Sequence, residues 1–144
     1  MREILFRGID KRYNQAAGHE YNVWRFGPLI EYDNGQAAIV ASAERYGHGM
    51  FTNEVIPETV GQYTGLDDKN GVSIFEGDVV TASWYDYEEP REDTFGEVIF
   101  NEGWCSYCIW NEAENVMSEM NGQGAYEWEI EVIGNIHDNP ELVE

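Results

Sequence analysis

The segment Glu58–Val80, ETVGQYTGLDDKNGVSIFEGDVV, contains two short apolar runs on either side of a polar turn. Val60–Tyr63 and Val72–Phe75 are the runs, and the Asn-Gly step within Lys69–Gly71 favours the positive φ angles of a tight reversal. The second run leads into Glu76–Asp78, where a glycine predicts a sharp bend into the next strand. The segment is therefore interpreted as two strands with their turns, while a ligand-contacting role for the same loop remains the alternative.

The aspartates of this turn do not have the register of a calcium-binding loop. If Gly71 were the sixth position of such a loop, Leu66 would be the first and Gly77 the twelfth. A calcium-binding loop requires an acidic ligand at its first position and a bidentate glutamate at its twelfth. We expect no metal site here.

Alternation of apolar and polar residues recurs along the rest of the chain and predicts a mainly β protein. The last strand shows it best, because Trp128, Ile130 and Val132 alternate with acidic residues. The further predicted strands are Ile4–Gly8, Trp24–Ile30, Ala37–Ala41, Val79–Tyr85, Gly96–Phe100, Trp104–Trp110 and Tyr126–Ile133.

One segment has helical spacing instead. In Asn111–Met120 the apolar residues Ala113, Val116, Met117 and Met120 occur at i, i+3, i+4 and i+7. Asn111 is a suitable N-cap residue. We predict one short helix there.

The composition is that of a soluble globular protein. The chain has 144 residues, of which 42% are hydrophobic, so it can bury a core without a metal or a disulfide.

The glycine-rich loop at residues 47–49 is the predicted boundary between a smaller N-terminal subdomain, residues 1–50, and a second domain, residues 51–144. No apolar run is long enough to span a membrane and no signal peptide is evident, so we expect a cytoplasmic protein.

Charge is distributed unevenly between these two parts. The 28 acidic and 8 basic residues give a net charge of −20. Residues 1–50 are balanced, and of the basic residues only Lys69 and Arg91 lie in residues 51–144. Direct binding to nucleic acid is not expected, because it depends on clustered Lys and Arg. The acidic excess is interpreted as a solubilising surface or, alternatively, as a mimic of nucleic acid.

Catalytic and cofactor motifs are lacking in the sequence. Cys105 and Cys108 have C-x-x-C spacing, but within a strand they would point to opposite faces, roughly 10 Å apart. The histidines His19, His48 and His137 are scattered, and no phosphate-binding glycine motif occurs. We expect no enzyme, no cofactor and no metal.

Aromatic residues are more numerous than a small core requires and are typical of an interface. Glu127, Glu129 and Glu131 should form a regular acidic row on the last strand, at about 6.6 Å intervals. The predicted interaction surface consists of Trp84, Tyr85, Tyr87, Trp104, Tyr107, Trp110, Trp128, Glu127, Glu129 and Glu131.

Three segments of the chain resemble the YopX-like family of phage and prophage proteins. They are MREILFRGIDKRYN at residues 1–14, the opening segment at residues 58–80 and EVIGNIHDNPELVE at residues 131–144. The resemblance implies a small SH3-like β-barrel for residues 51–144, preceded by a smaller β-rich (α+β) subdomain. It brings no established catalytic or ligand-binding residues.

The resemblance implies a phage or prophage accessory protein, and the lack of catalytic motifs together with the numerous aromatic residues predicts a non-catalytic protein–protein interaction module. We expect a protein partner and a homo-oligomer. The alternative is an acidic nucleic-acid mimic that inhibits a basic, nucleic-acid-binding protein of the bacterial host.

Overall fold

The computed structural model describes residues 3–41, 51–86, 89–120 and 126–144. The described residues are mainly β-strand, and helical structure among them is confined to the short 3-10 turns Gln15–Ala17, Pro57–Thr59 and Pro140–Val143. The prediction of a mainly β protein is confirmed. The chain divides into two compact units, Met1–Tyr63 and Thr64–Glu144.

The first unit contains the strands β1 (Phe6–Ile9), β2 (Trp24–Gly27), β3 (Leu29–Glu31), β4 (Ala37–Ala41) and β5 (Phe51–Val55), and it ends within β6 (Gly61–Asp67). β1 pairs with β2 and with the start of β6, and β3, β4 and β5 form a separate antiparallel sheet. The strand predicted over Trp24–Ile30 is divided at Pro28, which has no amide hydrogen for a sheet bond. The core contains Ile39 and Val55.

The boundary predicted at residues 47–49 lies outside the described residues. Strand β5, which the sequence prediction assigned to the second domain, pairs with β4 of the first unit, with Val55 opposite Ala37. β5 was not predicted.

Asp10 organises the loop that follows β1. Its carboxylate is fully buried and accepts hydrogen bonds from the backbone amides of Arg12, at 2.8 Å, and Tyr13, at 3.3 Å. Its other oxygen binds Arg25 Nε at 2.9 Å. Burial raises the pKa of Asp10, but these hydrogen bonds and the Arg25 charge outweigh it and hold the pKa below the usual value.

The second unit contains the rest of β6 together with β7 (Ser73–Phe75), β8 (Asp78–Asp86), β9 (Glu89–Asn101), β10 (Ser106–Asn111), β11 (Val116–Glu119) and β12 (Tyr126–Asn135). An antiparallel sheet has the order β11-β10-β9-β8-β12. The predicted hairpin around Asn101 and the last strand are confirmed. One face of this sheet buries a core of Ile74, Val80, Ala82, Val98, Ile109, Met120 and Ile130.

The sheet is open. Its order begins at β11 and ends at β12, and in the part of the chain that the structure describes no strand pairing closes it into a barrel. The SH3-like barrel therefore stays a prediction.

The predicted helix at Asn111–Met120 is wrong, because the segment forms a turn and a strand. Asn111 Oδ1 does accept a hydrogen bond from the Glu114 amide at 3.0 Å, as an N-cap would. Asn115 then adopts φ 53°, a left-handed conformation that asparagine tolerates and that a helix excludes. The chain reverses, and Val116 pairs with Asn111.

The loop of the opening segment is attached to β12. Asp68 is buried, and its carboxylate accepts hydrogen bonds from the amides of Asn70, Val72 and Val132 at 2.8, 2.9 and 3.0 Å. The Lys69 amide donates to the carbonyl of Ile130 at 2.9 Å. The loop thus occupies backbone groups at the outer edge of β12, where an exposed strand would otherwise offer them to another chain.

Candidate functional site

The predicted interaction residues of the hairpin β9–β10 occupy three different environments. Trp104 lies in the connecting turn and is 52% exposed. Tyr107 is half-buried and packs against the core cluster of the second unit. Trp110, near the other end of β10, is half-buried and lines a cleft.

The remaining aromatic predictions are only partly described. Trp84 and Trp128 are cross-strand partners in β8 and β12, and Tyr85 is opposite Glu127. The structure describes their backbone pairing and not their side chains. Tyr87 lies outside the described residues.

The acidic row on β12 is partly neutralised. Glu129 is exposed, whereas Glu131 binds Lys69 Nζ through its carboxylate at 3.2 Å. That hydrogen bond and the charges of Glu131 and Glu129 raise the pKa of Lys69. The ammonium group of Lys69, from the neighbouring loop, therefore offsets the charge of one carboxylate in the row.

The turn between β9 and β10 presents aromatic side chains in a fixed frame. Asn101 Oδ1 accepts a hydrogen bond from the Trp104 amide at 3.0 Å. Phe100 is 44% exposed, and its ring meets that of its cross-strand partner Tyr107 edge-on, with 5.2 Å between centroids. We name Phe100, Trp104 and Tyr107 the aromatic tip.

The two cysteines have different surroundings. Cys105 is exposed in the turn with φ 51°, and Cys108 is fully buried within β10. Neither forms a disulfide. Burial is the main cause that raises the pKa of the Cys108 thiol. Within the described ranges, no group of three or more His, Cys, Asp or Glu residues is placed to hold a metal ion.

A cleft of about 120 Å³ lies between strands β9 and β10 and the C-terminal 3-10 turn. Its walls combine aromatic, aliphatic and acidic side chains. The lining includes Phe95, Glu97, Trp110, Glu112 and Leu142. We name it the Glu97 cleft.

Glu97 is the notable charged group of this cleft. The side chain is half-buried, and burial, followed by the neighbouring charge of Glu112, raises its pKa. The cleft was not predicted from the sequence. The available signal was a carboxylate within the otherwise apolar run Phe95–Phe100.

The family model of the YopX protein matches residues 5–144. The chain belongs to the YopX family. The crystal structure of protein EF1440 from Enterococcus faecalis is similar over 100% of both chains, with 23% sequence identity and a TM-score of 0.48. No curated protein matches the chain.

The segments that resemble the YopX family are held by side chains that bind backbone amides. Asp10 and Asp68 do so in the first two segments, as described above. In the third, Asn135 Oδ1 accepts from the amides of His137 and Asp138 at 3.0 and 2.8 Å. The polar residues of these segments thus fix loops of this chain.

No helix in the described ranges has the length and apolar character needed to cross a membrane.

Proposed function

We propose that this YopX family member is a non-catalytic phage or prophage accessory protein that acts as a protein–protein interaction module through its aromatic tip. The observation that carries the proposal is the exposure of Trp104 and Phe100 at one end of a hydrogen-bonded hairpin. Exposed aromatic side chains in a rigid frame lose little conformational entropy on binding, and Trp is enriched among residues that dominate binding energy.

Several finer expectations belong to the same proposal. We propose that the second unit is related to SH3-like barrels, that the protein acts in the bacterial cytoplasm, and that it forms a homo-oligomer or binds a different protein. The net charge of −20 supports a basic partner more than self-association, because like charges repel.

The alternative function, mimicry of nucleic acid, is weakened by the ion pair between Lys69 and Glu131. A mimic needs a continuous negative surface, and Lys69 interrupts the acidic row on β12. Mimicry should also make binding depend more steeply on salt than binding through the aromatic tip, since contacts between exposed charges are screened.

The test is affinity capture from host-cell extract at low and high salt, combined with light scattering of the purified protein. Trp104→Ala should abolish capture or self-association while leaving the fold intact. Tyr32→Ala is the matched control, since Tyr32 is 48% exposed and lies in the first unit. Retained binding by Trp104→Ala, or binding that Glu129→Gln abolishes, would contradict the proposal.

A further inference from the structure

The Glu97 cleft has the chemical character of a receptor for a cationic side chain. Trp110 and Phe95 offer aromatic rings, Leu142 offers an aliphatic wall, and Glu97 and Glu112 contribute negative charge. All of these residues belong to the second unit. At about 120 Å³ the cleft is smaller than the ~300–1,000 Å³ of pockets for drug-sized molecules, so it suits the end of one side chain.

The Glu97 carboxylate has no counter-charge of its own. Across the described residues no hydrogen-bond donor and no Lys, Arg or His side chain contacts it, and Glu112 adds a second negative charge nearby. A half-buried carboxylate in this setting loses hydration without compensation. A cation entering the cleft would supply the missing partner.

We propose that the Glu97 cleft binds a lysine or arginine side chain of a basic protein partner. The proposal rests on the proposed function and specifies the chemistry of its partner. The ammonium or guanidinium group pairs with Glu97, and the methylene stem packs against Leu142 and the ring of Trp110. The acidic excess of residues 51–144 attracts a basic partner toward this surface.

The raised pKa of Glu97 gives the interaction a pH dependence. Protonation removes the charge that binds the cation, so affinity should fall as the pH drops through the pKa of Glu97. Because that pKa lies above the ordinary value, the fall should begin at a higher pH than for an unperturbed glutamate. The other titratable groups that line the cleft are Glu112 and Glu144.

The test is a ¹H–¹⁵N NMR titration of the whole chain with N-acetyl-arginine amide and N-acetyl-lysine amide. N-acetyl-citrulline amide, a neutral mimic of arginine, is the control probe. The cationic probes should shift the backbone amides of Glu97 and Glu112 and the indole N–H of Trp110, and citrulline should not. Glu97→Gln should weaken binding by about tenfold, as expected for loss of one charged contact.

Glu102→Gln is the matched control variant, because Glu102 is an exposed carboxylate in the β9–β10 turn. The spectrum of Glu97→Gln away from the cleft should remain unchanged, which establishes that the variant is folded. Equal shifts with citrulline, or diffuse shifts that Glu97→Gln leaves intact, would overturn the inference.

The outcomes of the two proposals can be separated. If Glu97→Gln captures the partner normally while Trp104→Ala does not, the cleft inference fails and the interaction module stands. If the cationic probes bind at the cleft but no protein is captured and no self-association occurs, the proposed function fails instead.

Discussion

The Asp68 carboxylate accepts a hydrogen bond from the backbone amide of Val132 at 3.0 Å, although the two residues are 64 positions apart. The same carboxylate closes the turn that follows β6 through the amides of Asn70 and Val72. One side chain thus fixes a local turn and attaches it to the last strand.

We predict that Asp68→Asn destabilises the protein by about 1–3 kcal/mol at pH 7, since an amide group cannot accept all three hydrogen bonds that the charged carboxylate accepts. Urea denaturation would measure the loss. Asp33→Asn makes the same chemical change at an exposed turn residue and should change stability by less than about 0.5 kcal/mol. Equal effects of the two substitutions would contradict the stabilising role of the Asp68 carboxylate.

The pH dependence of stability should also change in Asp68→Asn. Burial raises the pKa of Asp68, but the three amide hydrogen bonds and the charge of Lys69 outweigh it and hold the pKa below the usual value of an aspartate. A lowered folded-state pKa gives stability that is present above the unfolded-state pKa and is lost as the pH falls through the folded-state pKa. The variant should therefore lose less stability than the parent between neutral and strongly acidic pH, as measured by urea denaturation across that range.

The ionic interactions of Asp10 and of Lys11, both in the first unit, should differ in their contribution to stability. Asp10→Ala removes a buried carboxylate and leaves the amides of Arg12 and Tyr13 without their acceptor, at a cost of about 1–3 kcal/mol. Lys11→Ala removes the exposed pair with Glu54 at 2.8 Å and should cost under about 1 kcal/mol. Thermal unfolding of both variants checks the order, and a reversed order would refute the role given to Asp10.

Gly96→Ala should destabilise the second unit by about 1–3 kcal/mol, as expected for overpacking. A Cβ atom at this position would lie 2.2 Å from the carbonyl oxygen of Trp110, so the end of β10 must move. The control is Gly103→Ala, whose Cβ would meet only the Asn101 side chain, at 3.2 Å. If denaturant unfolding shows that Gly103→Ala lowers the free energy of unfolding more than Gly96→Ala does, the close approach of Gly96 to the Trp110 carbonyl is contradicted.

The two thiols should react at very different rates in the folded protein. Cys105 is exposed, whereas Cys108 is fully buried and has a raised pKa that disfavours the reactive thiolate. Titration with an aromatic disulfide reagent should therefore modify one equivalent rapidly, and the second should follow only on unfolding. Cys105→Ser should remove the rapid phase, and a rapid phase that survives in this variant would contradict the burial of Cys108.

The alternation of apolar and polar residues predicted the strands whose buried faces are strongly apolar. Prediction failed where the spacing of apolar residues fits both a helix and a strand. The spacing of Val116 and Met117 suits a helix as well as a strand, and the left-handed Asn115 together with pairing to β10 decided for the strand. β5 was missed because Phe51–Val55 contains Asn53 and Glu54, which are poor strand formers. Hydrogen-bonded pairing with β4 stabilises this segment as a strand despite its composition.

The candidate site was less accessible from the sequence than the fold. Trp104 was predicted as an interaction residue, and its exposure agrees with a role in binding, although the role itself stays a prediction. The Glu97 cleft requires strands β9 and β10 and the turn Pro140–Val143 to come together, and residues so distant in sequence give no common local signal.

The sequence by itself determined the mainly β class, the YopX family and the acidic second part, because alternation, family segments and charge are properties of residue order and composition. Only the tertiary structure decided that Asp68 binds Val132, that β5 joins the first unit and that Glu97 faces an aromatic cleft. Hydrogen bonds and burial depend on which distant groups meet, and these contacts give a carboxylate its structural role or leave it available to bind a cation.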